Sequence, residues 1–272
     1  MTGRVLIIAG SDPSGGAGIQ ADIKTVTALG GYAAAAITSL TVQNTTGVKS
    51  VNAVSVDLIR DQIEAVLDDI GADVVKIGMI GEPDTAAVIA DTLEAFSKRK
   101  EGGLSVVLDP VLIATSGDAL AANGVVDMLR ERLIPLATVV TPNADEASAL
   151  TGLAIQGPDD LEAAGQALCA MGAGAALVKG GHLAGPVVSD VLVAGNTVSP
   201  FSNERLGGPE LHGTGCTLAS AVATSVALGE PLAKAVEDGI AFVREAITAA
   251  PPIGRGAHPL NHSVHIQKQM KS

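Results

Sequence analysis

Residues 56–77 read VDLIRDQIEAVLDDIGADVVKI, and the change of period inside this stretch decides the fold class. Ile59, Ile63, Val66, Leu67 and Ile70 recur at helical spacing on one face, Gly71 stands where a C-terminal cap belongs, and residues 74–77 follow as a short apolar strand. Comparable β-rich runs lie at 5–9, 33–40, 105–108, 138–140 and 175–178. Helical patterns separate them; one opens at Pro158-Asp159-Asp160, runs to Met171 and stops at Gly172. Strands buried on both faces and alternating with helices predict an α/β fold, with a mostly parallel central sheet flanked by helices on both faces. Residues 187–200 alternate instead around Gly195-Asn196, which predicts a tight hairpin and antiparallel strands late in the chain. Two Ala-rich helices are expected at about 214–228 and 231–249, and nothing repeats or breaks in composition. The expectation is one domain over 1–272, with a polar, proline-interrupted tail from about 254.

Composition bounds the function. With 47% hydrophobic residues, 17% charged and a mean hydropathy of +0.39, the 272-residue chain carries enough apolar surface to fold. Aromatics are 1%, so the core is built of Ala, Val, Leu and Ile. Apolar runs fall far short of the roughly 20 residues that span a bilayer. Seventeen Lys and Arg against 29 Asp and Glu give a net charge of −12, which argues against nucleic acid and anionic membranes as partners. The one basic cluster, Lys98-Arg99-Lys100, reads as a helix end. Cys169 and Cys216 are too few and too far apart for a disulfide framework, and the first residues lack a signal-peptide core, which predicts a cytoplasmic protein.

In open parallel sheets, ligands bind beyond the carboxyl ends of the strands. Four segments there carry chemistry. The loop 10–18, GSDPSGGAG, lets a ligand approach backbone; its continuation formally matches a dinucleotide fingerprint, yet no acidic residue falls between Asp22 and Asp57 to hold a ribose. Leu211-His212-Gly213-Thr214-Gly215-Cys216 runs into a helix, so its backbone N–H groups form an anion site that suits a phosphate. Cys216 falls in the first turn, where the helix dipole is expected to lower its pKa, whereas Cys169 reads as core. Asp109, after one strand, and Asn143 to Glu146, after another, are placed to hold hydrated Mg²⁺ near a phosphate, although Glu146 alone would also suit a helix-start acid. Lys179 ends an apolar strand, where a lysine needs an anion. Walker A, His-Glu-x-x-His, Cys-x-x-Cys and Gly-x-Ser-x-Gly patterns are missing from the sequence, and Pro259 interrupts any alignment of His258, His262 and His265.

Taken in order, the loop 10–18 with Ile19 to Thr25, Thr41-Val42-Gln43-Asn44, Lys76-Ile77-Gly78-Met79, Asp109-Pro110-Val111, Ser116-Gly117-Asp118, Thr141-Pro142-Asn143 with Glu146, Lys179-Gly180-Gly181-His182 and His212 to Cys216 resemble the hydroxymethylpyrimidine/phosphomethylpyrimidine kinases of thiamine biosynthesis. The resemblance runs from Arg4 to about His262. It implies a ribokinase-like fold, a homodimer, and transfer of the ATP γ-phosphoryl group to a pyrimidine hydroxymethyl group and then to the monophosphate. By the same resemblance Gln43 would read the pyrimidine edge, with Met79, Gly10 and Asp22 lining its pocket. Lys179 and Asn143 would serve ATP, Asp109 and Glu146 would hold Mg²⁺ and its waters, and Gly213, Thr214, Gly215 and Cys216 would form the catalytic anion hole, with Cys216 as proton acceptor. The chain departs from the family pattern in the glycine-rich run 206–211 and in Thr115, where relatives often carry lysine. Competing readings are a pyridoxal kinase of the same fold, a dinucleotide oxidoreductase and a non-catalytic small-molecule sensor.

Overall fold

The structure, a computed structural model, describes residues 2–99, 103–113 and 120–269. Lys100, Thr115 and Ser116-Gly117-Asp118 lie outside the described residues. The strands are β1 (Arg4–Ser11), β2 (Tyr32–Asn44), β3 (Gly47–Ala53), β4 (Val74–Ile77), β5 (Ser105–Leu108), β6 (Val139–Val140), β7 (Ala175–Lys179), β8 (Val187–Ala194), β9 (Thr197–Glu204), β10 (Leu211–His212) and β11 (His258–Pro259). The helices are α1 (Gly18–Ala28), α2 (Val56–Asp69), α3 (Pro83–Arg99), α4 (Val125–Met128), α5 (Ala144–Thr151), α6 (Asp160–Ala170), α7 (Thr214–Ala227), α8 (Leu232–Thr248) and α9 (Val264–Gln269). The stretch 56–77 folds as read: the Ser55 hydroxyl accepts from the Leu58 N–H at the start of α2, Ile59 and Ile63 are buried, and Gly71 takes φ +72° beyond the helix end.

Among the described residues, nine strands form a sheet in the order β3-β2-β1-β4-β5-β6-β7-β8-β9. Strands β2, β1, β4, β5, β6 and β7 are mutually parallel; β8 and β9 are antiparallel, joined at Gly195-Asn196. The positive φ at Gly195 alone matches a turn with glycine at its first central position. One antiparallel strand is early rather than late: β3 pairs with β2 as an edge.

Within β1 the side chains alternate. Leu6 and Ile8 pack toward α2, α3 and α6, while Val5, Ile7 and Ala9 pack toward α1, α7 and α8. The connections through α1 and α2 thus leave on opposite faces, with β1 flanked by β2 and β4, and this opens a crevice beyond the carboxyl end of β1. Part of the tail from 254 is packed: β11 pairs with β10, and Leu260 and Val264 pack with Phe242, whereas Gly254, Arg255, Ile266 and Gln267 are exposed. Among the described residues no helix is long and apolar enough to cross a membrane.

Candidate active site

A cavity of about 840 Å³ occupies that crevice. Its lining draws on each strand end in turn: Gly10 at the end of β1 and Asp12 after it, Gln43 on β2, Lys76 on β4 and Met79 after it, Asp109 after β5, Asn143 and Glu146 after β6, Lys179 on β7, and Gly213 to Cys216 at the start of α7.

The anion site is built from α7 downward. Gly213 is the N-cap with φ +85°, and a Cβ there would collide with the Gly16 carbonyl oxygen, so only glycine lets the turn press against the loop 10–18. The N–H groups of Thr214, Gly215 and Cys216 open the helix and have no intrahelical partner. A Cβ at Gly215 would stand 3.2 Å from Lys179 Nζ and 3.9 Å from Asp109 Oδ2, so the lysine and the aspartate lie directly under the turn. Lys179 Nζ donates to Asp109 Oδ1 at 3.1 Å, and the Thr141 hydroxyl donates to the same oxygen at 3.2 Å. Among the described residues, Asp109 Oδ2 is buried with no hydrogen-bond partner. An orphaned carboxylate oxygen beside a phosphate-sized anion site fits a divalent cation or one of its waters.

Glu146 serves two ends at once. It is the N3 residue of a capping box, accepting from the Asn143 N–H at 2.8 Å while Asn143 Oδ1 accepts from the Glu146 N–H at 2.9 Å. It is buried rather than exposed, and burial pushes its carboxyl up to about 7 against the opposing pull of Lys179, with Asp109 adding to the rise. Asn143 has spent its oxygen on the cap, which leaves its amide nitrogen for a ligand.

Elsewhere in the lining Met79 packs beside Gly10, where a Cβ would meet Ser39 Oγ at 2.7 Å and Met79 Sδ at 3.3 Å. Gln43 lies 3.1 Å from His212 Nε2, and the same imidazole nitrogen lies 2.9 Å from Asp12 Oδ2. Asp12 also accepts from the N–H groups of Ser14 and Ala17 and from the Ser14 hydroxyl, which folds the loop 10–18 around it. Burial alone would raise its pKa, but the bonds from His212, Ser14 and Ala17 outweigh burial and hold it below the ordinary range.

Two sequence expectations are corrected. Asp22 does not line the pocket: it is fully buried beneath it, accepting from Lys76 Nζ at 2.8 Å and from the Ser220 hydroxyl at 2.7 Å. Cys216 is not depressed by the helix terminus. Burial, Asp22 and Asp109 push its thiol up to about 12, and the Lys76 ammonium and the Gly18 N–H only partly offset them. Sequence reasoning missed Lys76 itself, kept charged by Asp22 against the pull of burial, and Arg205, whose guanidinium donates to the carbonyls of Gly181, Leu183 and Gly185 after β7. The three histidines 258, 262 and 265 form no cluster: His262 meets the Thr217 hydroxyl and His265 meets Glu245.

The family model described as phosphomethylpyrimidine kinase matches residues 12–261. The chain belongs to the phosphomethylpyrimidine kinase family. It is 48% identical over 266 residues to a hydroxymethylpyrimidine/phosphomethylpyrimidine kinase of Rhizobium meliloti, covering 96% of this chain and 97% of that one. Among solved structures, a phosphomethylpyrimidine kinase of Clostridium difficile superposes with a TM-score of 0.79 at 39% identity, covering 90% of this chain and 99% of the other. A pyridoxal kinase of Staphylococcus aureus, in complex with AMP-PCP and pyridoxal, superposes with a TM-score of 0.88 at 31% identity over 98% and 96%. The fold of this family member is thus ribokinase-like α/β, and its enzymes are phosphotransferases.

Proposed function

We propose that this chain, as one domain over 1–272, transfers the γ-phosphoryl group of ATP to the hydroxymethyl group of 4-amino-5-hydroxymethyl-2-methylpyrimidine and then to its monophosphate, in thiamine biosynthesis. The observation that carries the reading is one cavity lined both by an amide, Gln43, and by a helix-terminal anion site over the Lys179–Asp109 pair. Gln43 offers a donor and an acceptor, which suit the adjacent amino group and ring nitrogen of an aminopyrimidine. Asp109 and Glu146 are the residues for Mg²⁺, directly or through its waters, and bound there the ion would neutralise charge on the transferred phosphoryl group. Lys179 and the amide nitrogen of Asn143 face the ATP phosphates, and the N–H groups of Thr214, Gly215 and Cys216 stabilise the transferring group. Little covalent work is asked of the protein, so positioning and electrostatics dominate.

The likeness to pyridoxal kinases favours a second reading, phosphorylation of a pyridoxal vitamer, because pyridoxine also carries a hydroxymethyl group on a flat nitrogen heterocycle. It would set a phenolic oxygen opposite Gln43, a poorer match for an amide that offers both donor and acceptor. A cytoplasmic homodimer completes the proposal, and exposed Leu40 and Val42 on β2 support its dimeric part. The test is ADP release with purified protein, ATP and Mg²⁺: it is expected to depend on the aminopyrimidine, and release with pyridoxal alone would favour the second reading.

A further inference from the structure

We propose that Arg205 is a positioning residue for the nucleotide: its guanidinium gathers the loop between β7 and β8 and so holds the stretch of cavity wall that follows Lys179. The proposal rests on the ATP reading above and deepens it.

The hydrogen bonds concerned have fixed directions, because a guanidinium only donates and a carbonyl only accepts. Arg205 Nε donates to the Gly185 carbonyl at 2.8 Å, Nη1 to the Gly181 carbonyl at 2.7 Å and Nη2 to the Leu183 carbonyl. One rigid, planar fork thus collects alternate carbonyls from the arc 181–185. Arg205 directly follows β9 and Pro186 directly precedes β8, and the Arg205 N–H donates to the Pro186 carbonyl at 2.8 Å. The β8–β9 hairpin therefore carries the fork to the loop. Little else shapes the arc. Leu183 packs on the core and its N–H donates to the Gly180 carbonyl at 3.0 Å, whereas Ala184, Gly185 and Pro186 are exposed. A Cβ at Gly181 or Gly185 would meet nothing within 4 Å. Three carbonyl oxygens turned toward one point repel one another unless a cation lies among them, so the curl of the arc depends on the guanidinium.

The arc belongs to the site. Gly181, His182 and Arg205 line the same cavity as Lys179 and Asn143, the two residues that the functional reading sets against the ATP phosphates. On the far side of the arc His182 Nδ1 lies 3.5 Å from Asp145 Oδ2, in the first turn of α5, the helix that carries Glu146. Lys179 itself does not depend on Arg205. Its N–H donates to the Pro142 carbonyl at 2.8 Å and its Nζ to Asp109 at 3.1 Å. Releasing the arc therefore changes how often this wall is formed and leaves the phosphate-facing lysine in place. Apparent affinity falls by the fraction of molecules in which the wall is formed, whereas a bound nucleotide meets the complete wall, so the effect belongs in KM for ATP rather than in kcat.

The test uses the full chain in wild type, Arg205→Ala and Arg205→Lys, with calorimetry of ADP and Mg²⁺ followed by ATP turnover. Arg205→Ala is expected to weaken ADP binding and raise KM for ATP by about tenfold, with kcat and the KM of the pyrimidine within about twofold, as for an arc formed about a tenth of the time. Arg205→Lys keeps the charge without the fork and is expected to keep most of that defect. Full restoration by lysine would mean that charge alone acts on the phosphates, and overturns the positioning role. Unchanged ADP binding in Arg205→Ala overturns it too, as does a fall in kcat and Tm with KM for ATP unmoved, the pattern of a merely structural role. Hydrogen exchange in wild type needs no variant: the amides of 181–185 are expected to slow when ADP binds, and unchanged exchange there contradicts the proposal. A wild type that binds no ADP overturns the ATP reading, and the proposal with it.

Discussion

Two effects compete at Cys216. A helix N-terminus favours an exposed negative charge by about 0.3–1 kcal/mol, and burial opposes it. Burial prevails and pushes the thiol up to about 12, so the resting protein holds a neutral thiol and the proton-accepting form grows tenfold per pH unit below that value. The expected outcome is a kcat that rises with pH over about pH 7–9 where proton transfer limits, and a Cys216→Ala variant that loses about 10²–10⁴-fold with that rise flattened. An alanine variant within about threefold of wild type would instead make Cys216 a wall of the anion site. Glu146 gives a second pH effect with a definite sign. Its folded pKa of about 7 stands above the ordinary 4.5, so the folded state binds the proton more tightly than the unfolded one. The contribution of this group to stability is therefore fully present below about 4.5 and is lost as pH rises through about 7. In metal-free protein Tm is expected to fall across that window in wild type and much less in Glu146→Gln, which keeps the capping box. The same variant is expected to need more Mg²⁺ for activity. Lys179 was legible because a lysine ending an apolar run demands an anion. Lys76 in VVKI demanded one equally, but its partner Asp22 lies 54 residues away, on α1, and only the tertiary fold joins them.

At the scale of elements, the start of α7 depends on close approach between two loops. Gly213 and Gly152 both take a positive φ, +85° and +75°, but a Cβ at Gly213 would strike Gly16 whereas one at Gly152 meets nothing within 4 Å. Gly152→Ala is expected to cost only the backbone strain, about 1–2 kcal/mol by thermal unfolding, with activity retained. Gly213→Ala adds a steric conflict to the same strain and is expected to abolish phosphoryl transfer. Equal stability and activity in the two variants would contradict the described anion site. The hairpin β8–β9 was readable because Gly195-Asn196 interrupts a clean alternation. Strand β3 was not, because GVKSVNA lies at the sheet edge with most of its residues exposed and has no inner apolar face to set a period. Helix α3, with seven buried residues, was visible only at its basic end.

For the whole molecule, the Lys76–Asp22 pair ties β4 to α1, and Ser220 extends the tie to α7, with Lys76 in the cavity lining and Asp22 and Ser220 behind it. Lys76→Met leaves Asp22 buried without its cation, and urea unfolding is expected to show a loss of about 3–5 kcal/mol, largely recovered when Asp22→Leu is added. A single variant as stable as wild type would remove the pair from the account. The parallel order of the sheet and the helices on its two faces followed from strand and helix periods, since each buried run can be read locally. The placement of the site residues followed only in part, because hydrogen bonds such as those joining Asp12, His212 and Gln43 depend on side-chain geometry that no period encodes. In the proposed function this cavity selects an aminopyrimidine for phosphorylation. The most direct measurement is kcat/KM for 4-amino-5-hydroxymethyl-2-methylpyrimidine against pyridoxal, with the same protein, ATP and Mg²⁺. A preference for the aminopyrimidine of about tenfold or more, as expected when one substrate pairs with Gln43 and the other does not, is the predicted result, and equal or greater use of pyridoxal would contradict it.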